Sequence, residues 1–230
     1  DTSGQCAQLP QILRLCGIDT YFFWRGMPYD APSEFIWKGP DRSRVNAVWL
    51  SKGYDGAAWL SENVRDAFTT LMGLAESASQ RAASQNVFVP VGGAFVPPAP
   101  HLSDIVREWN DTFPDMRAVV VTPREFAEKV KAVQSSLSVI SGGLVSGRFA
   151  PVRLGGLSSR IRLKILNRQL ETLLYLVELF LAFSRDASRT VDVDNLWRML
   201  LFNQDHNIMR GVIGDGPYEL AVKRYNQAIE

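Results

Sequence analysis

The first 133 residues alternate short apolar runs with stretches of helical spacing. Runs of branched and aromatic residues, bounded by Gly, Pro or Asp, predict strands at 18–24, 44–50, 86–91 and 117–122. Helical spacing between them predicts helices near 7–15, 57–83 and 102–112. Nearly continuous apolar strands separated by helices indicate an α/β fold with a parallel sheet, open or closed into a barrel, that helices cover on both faces.

A capping signal marks the start of the next helix. Thr122 can cap it, Pro123 occupies the first turn, and Glu125 completes a capping box. The pattern predicts a helix that follows directly on the last strand.

After residue 133 the pattern is helical. Residues 158–184 place apolar side chains at the spacing of one helix face, and further helices are predicted at about 191–206 and 217–229. Three helices joined by short loops predict a three-helix bundle. A Gly- and Ser-rich segment separates the halves, so we divide the chain into domains 1–133 and 134–230.

The charge pattern narrows the classes of partner. Twenty-five basic and 24 acidic residues leave a net charge of +1 and no concentrated basic patch. Nucleic acid and anionic membranes are therefore not predicted partners. The longest apolar run, 173–183, contains Glu178 and is shorter than the ~20 residues of a membrane span. With no leader visible, a cytoplasmic location is favoured, although the compartment stays open.

General catalytic motifs are few in this chain. There is no Gly-rich phosphate loop between a strand and a helix, and no Gly-x-Ser-x-Gly motif. One of the two histidines, His206, lies in "LLFNQDHNIMRG" after an apolar run. By itself such a histidine is more often a capping or core residue than a metal ligand. The residues alone predict an α/β domain followed by a helical bundle.

Long motifs carry a resemblance to a known family. The segment "DTSGQCAQLPQILRLCGIDTYFFWRG" resembles the stretch of glycoside hydrolase family 38, the α-mannosidases, that reads Asp-x-Phe-Gly-His/Gln-x-x-Gln-x-Pro-Gln-Ile and ends in Phe-x-Arg-Gly. The segment "LWRMLLFNQDHNIMRG" resembles the family's Asn-Gln-x-His-Asp-x-hydrophobic-x-Gly. Similarity also extends through "EFIWKGPDRSRVNAVWLSKGYDGAAW" and through the segment from "FVPVGG" to "TPREF".

The resemblance implies a fold and a position within it. Family members have a seven-stranded β/α barrel followed by a three-helix domain, with the active site between them. Residues 1–133 would be the later part of the barrel and 134–230 the helical domain. The chain would then be a fragment whose partner is the missing N-terminal barrel segment, which carries the family's His-x-Asp zinc pair. Exposed edges of an incomplete sheet would favour a homo-oligomer.

The resemblance also implies a chemistry. Family members are retaining glycosidases, in which two carboxylates ~5–5.5 Å apart serve as nucleophile and as acid/base. Asp1 would be the nucleophile and a ligand of zinc, or of another divalent cation such as cobalt, and His206 would be a second ligand. Arg25, Tyr54 and Asn207 would contact the substrate, a mannose-containing oligosaccharide. Asn207 replaces an aspartate of the family motif.

Some positions depart from the family pattern. Ala94 stands at the acid/base position, and residues 77–103 contain no Asp or Glu. Arg42 stands where glycine is usual. Two hypotheses follow: a fragment of a zinc-dependent α-mannosidase acting on terminal α-mannosides, or an inactive relative with a structural or carbohydrate-binding role. We expect the α-mannosidase assignment to hold and turnover by this chain alone to be doubtful.

Overall fold

The first part of the chain is built on a mixed sheet, as seen in a computed structural model that describes residues 3–184 and 192–230. The chain forms two units, Asp1–Val152 and Arg153–Glu230. The elements of the first unit are α1 (Leu9–Leu15), β1 (Thr20–Phe23), β2 (Glu34–Lys38), β3 (Arg44–Trp49), α2 (Val64–Ser79), α3 (Leu102–Thr112), α4 (Pro123–Ala132), a 3₁₀ turn (Gln134–Ser136) and β4 (Val139–Ser141).

The order of the strands is β1-β3-β2-β4 among the described residues. β3 runs parallel to β1 and antiparallel to β2, and β2 runs parallel to β4. The prediction of a parallel sheet is therefore wrong for the central pair. The connection 39–43 folds into a tight turn, in which Gly39 N–H donates to Ser43 O at 2.9 Å. It is too short for the crossover that parallel neighbours require.

Two of the four predicted strands are absent from the described sheet. Residues 86–91 and 117–122 have no strand partner. Val119, Val120 and Val121 are exposed, and a run of branched or aromatic side chains does not by itself supply a backbone neighbour. The side chain of Phe88 packs between Phe22 and Phe126, with ring centroids 5.4 and 4.9 Å apart. Predicted strands 18–24 and 44–50 correspond to β1 and β3.

Both faces of the sheet are covered. The capping box at Thr122 and Glu125 is present and begins α4, as predicted. Phe126 and Val130 of this helix pack against Ile36 on one face. The opposite face forms a core of buried aromatic and aliphatic side chains, among them Phe23, Phe35, Trp37, Val45 and Trp49. Because successive side chains of a strand point to opposite faces, alternate residues of β2 lie in two different cores.

The second unit is helical. It contains a 3₁₀ turn (Leu154–Leu157), α5 (Ile161–Phe183), α6 (Val193–Asn203), α7 (His206–Arg210) and α8 (Asp215–Ile229). The long helices α5, α6 and α8 each contact the other two through a core that includes Leu163, Leu170, Leu174, Leu200 and Tyr225. Residue 191, the predicted start of the second helix, lies outside the described residues. No described helix, the 23-residue α5 included, is long and apolar enough to cross a membrane.

The division between the units falls after residue 152. The change of pattern at residue 133 marks the end of α4, but residues 134–152 continue in the first unit. There β4 pairs with β2, and the segment 144–146 forms bridges with Gln5 and Gly26. Strand pairing, which joins residues far apart in the chain, therefore places the division after residue 152.

The turn between β2 and β3 contains a strained residue. Arg42 has a φ of 70°, a conformation in which a Cβ atom costs roughly 1–2 kcal/mol. Arg42→Gly is expected to raise the free energy of unfolding by about 0.5–1 kcal/mol, measured by urea denaturation.

Arg44→Gly is the matched control for this change. It removes the same charge from the exposed first residue of β3, where glycine weakens a strand by about 0.5–1 kcal/mol. Equal destabilisation by both variants would contradict the strain at Arg42.

Candidate active site

Two predicted substrate residues follow neighbouring parallel strands. Arg25 lies just beyond the end of β1, and Tyr54 lies beyond the end of β3. Because β1 and β3 are parallel, their carboxyl ends lie at the same edge of the sheet. In α/β folds this edge is where binding and catalytic residues collect.

Trp24 brings these two residues together. The guanidinium carbon of Arg25 lies 4.0 Å from the centroid of the Trp24 ring. The ring of Tyr54 packs edge-on against the Trp24 ring, with centroids 5.5 Å apart and an interplanar angle of 85°. Cation–π and edge-to-face contacts of this kind fix the orientation of both polar groups. We call Trp24, Arg25 and Tyr54 the Trp24 cluster.

Backbone contacts hold the Trp24 cluster in place. Trp49 Nε1–H donates to Trp24 O at 2.9 Å, and Arg25 Nη1–H donates to Pro151 O at 2.9 Å. Gly53 has a φ of 83°, and a Cβ atom there would lie 3.1 Å from Trp24 Cε2. The sequence motifs single out Arg25 and Tyr54 but give no role to Trp24, which lies between them. The glycine directly before Tyr54 was the available signal.

The segment 144–146 joins the start of the described chain to Arg25. Gln5 and Leu144 exchange two backbone hydrogen bonds, at 2.8 and 2.9 Å. Ser146 N–H donates to Gly26 O at 2.9 Å. Gln5 is 2% exposed, so this pairing lies in the interior. Asp1, the predicted nucleophile and metal ligand, lies outside the described residues.

Ala94 lies in a turn closed by the hydrogen bond from Val96 N–H to Gly93 O, at 3.3 Å. The next residue, Phe95, has a φ of 63° and a fully exposed side chain. The turn packs closely against the β3–α2 connection, since a Cβ atom on Gly93 would lie 3.1 Å from Ala58 Cβ. The predicted acid/base position therefore carries a methyl group in this turn.

A buried carboxyl group supports the segment that leads to this turn. Glu34 is 2% exposed and accepts hydrogen bonds from Ser33 Oγ at 2.9 Å and from Ala83 N–H at 2.7 Å. Burial raises the pKa of Glu34 above its usual value, although both hydrogen bonds act to lower it. The side chain lines a cavity of about 30 Å³ with Phe88 and Pro90. Because both oxygens are engaged and enclosed, Glu34 holds the segment after α2 against β2.

In the second unit, His206 and Asn207 form the first turn of α7. Asp205 caps this helix, its Oδ1 accepting from Asn207 N–H at 2.9 Å and from Ile208 N–H at 3.4 Å. The other oxygen of Asp205 lies 3.6 Å from His206 Nδ1, and the His206 side chain is 70% exposed. At 3.6 Å the carboxylate is beyond hydrogen-bond distance of Nδ1, so the exposed imidazole is positioned by the helix turn and not by Asp205.

The motif residues before Asp205 anchor this turn to the helices. Asn203 is fully buried and donates to Ala221 O at 3.1 Å. Gln204 Nε2–H donates to Glu171 Oε1 at 2.9 Å and to Asn167 Oδ1 at 3.3 Å. Sequence reasoning missed these roles. Asn167, a polar residue among the apolar positions of α5, was the signal that could have found the network.

Tyr225 completes this polar network. Its hydroxyl donates to Asn167 Oδ1 at 3.0 Å, and burial raises the pKa of Tyr225 to about 12. The phenol therefore stays neutral and remains a hydrogen-bond donor at physiological pH. The turn that carries His206 is thus tied to both α5 and α8.

The metal site implied by the resemblance is not complete among the described residues. Residues 3–184 and 192–230 contain no group of three or more His, Cys, Asp or Glu side chains that could hold a metal ion. Of the predicted ligands, His206 is described and Asp1 is not. Four ligands are usual for zinc, so the described residues do not form a metal site by themselves.

Comparison with known families identifies the class of protein. The family model for the glycosyl hydrolases family 38 N-terminal domain matches residues 1–145, and the model for the alpha mannosidase middle domain matches residues 154–230. The chain belongs to glycosyl hydrolase family 38. The resemblance read from the sequence motifs is thereby confirmed.

Individual relatives agree with this assignment. Alpha-mannosidase 2C1 of Homo sapiens is 27% identical over 92% of the chain, and alpha-mannosidase G of Dictyostelium discoideum is 23% identical over 100% of it. The chain spans about a fifth of the length of these relatives, 20% and 21%. The crystal structure of an alpha-mannosidase from Enterococcus faecalis V583 is similar in fold, with a TM-score of 0.74 at 20% identity over 100% of this chain and 27% of that one.

The approach of Gly26 to the segment 144–146 predicts the effect of one substitution. Gly26 has a φ of 115°, and a Cβ atom there would lie 2.0 Å from Leu144 O. Gly26→Ala is expected to lower the free energy of unfolding by about 2–4 kcal/mol, because it adds overpacking to backbone strain. Thermal and urea denaturation measure this loss.

Gly73→Ala is the matched control. Gly73 lies inside α2, and a Cβ atom there would meet nothing within 4 Å. Alanine should stabilise this helix by about 0.5–1 kcal/mol. Wild-type stability of Gly26→Ala would contradict the close approach.

Proposed function

We propose that the protein is a retaining α-mannosidase and that this chain supplies part of its sugar site. The observation that carries the proposal is the Trp24 cluster, in which Arg25 and Tyr54 meet at the carboxyl edge of two parallel strands. In a chain of family 38, this is the edge at which we expect the sugar to bind. The substrates are terminal α-mannosides of oligosaccharides.

The residues have distinct proposed roles. Asp1 attacks the anomeric carbon, which is the step that defines a retaining glycosidase. Arg25 donates hydrogen bonds to sugar hydroxyls, and Tyr54 offers its ring or its hydroxyl. The bridging of Gln5 and Gly26 to the same segment 144–146 supports placing the start of the chain and Arg25 in one site.

His206 and Asn207, both in the second unit, are proposed to be a metal ligand and a substrate residue. His206 would be one zinc ligand and Asp1 another, and the remaining ligands belong to parts of the family's proteins that this chain does not span. When bound, zinc would hold sugar hydroxyls and stabilise charge. Cobalt is the alternative metal. Asn207 offers an amide to the substrate where the family motif has an aspartate.

A second candidate function is sugar binding without turnover. Ala94 cannot donate a proton, and Asn207 lacks the charge of the family's aspartate. Loss of a proton donor costs about 10²–10⁴ in rate, and substrates with good leaving groups are affected least. A substrate that needs no protonation therefore separates the two functions.

Hydrolysis of 2,4-dinitrophenyl α-mannoside by the full-length protein tests the proposal. We expect release of dinitrophenol, with kcat/KM lowered about 10³-fold or more by Asp1→Asn, because the amide cannot act as the nucleophile. Mannoside binding by the wild type without release above the Asp1→Asn background would favour the non-catalytic function.

Zinc content is a readout that does not depend on turnover. His206→Ala is expected to weaken zinc binding more than about 100-fold, beyond the 10–100-fold typical of residues that only support a ligand. Metal analysis after dialysis against a weak chelator measures this loss. His101→Asn alters the other histidine of the chain and should leave the zinc content unchanged. Equal zinc in the His206→Ala variant and the wild type would exclude the ligand role.

A further inference from the structure

Position 94 carries no proton donor, and the tertiary structure places another carboxyl group near it. If the proposed function holds, the leaving oxygen of an unactivated mannoside needs a proton. Residues 77–103 contain no Asp or Glu, so a substitute has to come from outside this segment. Glu34 is enclosed and engaged with Ser33 and Ala83, and Asp30 is paired with Arg81 at 2.6 Å.

Asp55 lies directly against the turn that carries Ala94. The β3–α2 connection turns at residues 55–58, where Ala58 N–H donates to Asp55 O at 3.0 Å. A Cβ atom placed on Gly93 would lie 3.4 Å from Asp55 Cβ. The Asp55 side chain therefore leaves the backbone in contact with the residue next to Ala94.

The carboxyl end of the same side chain lies beside the Trp24 cluster. A Cβ atom placed on Gly53 would lie 2.9 Å from Asp55 Oδ1 and 3.1 Å from Trp24 Cε2. Asp55 also follows Tyr54 directly in the chain. The carboxyl group thus lies near Trp24, on a loop that packs against residue 93, and Asp55 is exposed to solvent.

We propose that Asp55 is the acid/base residue of this protein, in place of the carboxyl group that Ala94 lacks. The inference rests on the proposed function and adds to it the missing catalytic residue. The two loops are adjacent, so a carboxyl group from either one reaches the same side of the sugar site.

The step balances without a further reactant. As the C1–O bond of the mannoside breaks, the Asp55 carboxyl proton passes to the leaving oxygen, which departs as an alcohol, while Asp1 forms the bond to C1. A water molecule then attacks C1 and gives one proton to the Asp55 carboxylate. The bond to Asp1 breaks, and its electron pair returns to the Asp1 carboxylate.

Dependence on the leaving group tests the role of Asp55. In the full-length protein, Asp55→Asn is expected to lower kcat/KM for phenyl α-mannoside by about 10²–10⁴-fold. With 2,4-dinitrophenyl α-mannoside, whose leaving group needs no proton, kcat/KM should change less than about tenfold. Asp111→Asn, an exposed aspartate of α3, is the control and should leave both values unchanged.

A double variant separates catalysis from structure. Ala94→Asp added to Asp55→Asn returns a carboxyl group to the adjacent loop and should restore at least about tenfold of the phenyl mannoside activity. An equal loss with both substrates, or no loss with either, would overturn the role of Asp55 and leave the proposed function standing. If the wild type releases no dinitrophenol, the proposed function fails, and the role of Asp55 fails with it.

Discussion

The close approach of the Gly26 backbone to the carbonyl of Leu144 is the constraint on which the first unit's site depends. A Cβ atom at Gly26 would lie 2.0 Å from that oxygen, so the chain after β1 can turn here only with glycine. This turn places Arg25 over Trp24. The segment it meets also pairs with Gln5, so a single contact region holds both the start of the described chain and the proposed substrate arginine.

In the second unit, polar side chains hold the turn that contains His206 in position. His206 is carried on α7, a helix of five residues, which is too short to be stable by itself. Asn203 ties its start to α8 through a buried hydrogen bond, and Gln204 ties it to α5 through a half-buried one. Buried amides of this kind are costly unless every partner is present. The network therefore fixes one position for the turn, and the exposed imidazole follows from it.

Membership of family 38 is compatible with the change of proton donor that we propose. The match to family 38 covers both units, yet Ala94 stands at the predicted acid/base position. The loops that follow β3 and residues 86–91 are packed together, and a glycine at position 93 lets Asp55 approach. In a site formed by adjacent loops, either loop can supply the same chemical group. The reaction depends on where that group lies in space and not on its position in the sequence.

Local patterns were enough to predict the elements that local forces determine. The capping box of α4, the apolar runs of β1 and β3, and the spacing of α5 are each contained in a short stretch of sequence, as are the motifs that single out Arg25, Tyr54 and His206. Tertiary structure decided the antiparallel pairing of β2, the position of β4, and the absence of ladders at 86–91 and 117–122. It also brought Trp24 between its two neighbours and Asp55 beside Ala94. These features rest on contacts between residues distant in the chain, and such contacts leave no periodic signal in the sequence.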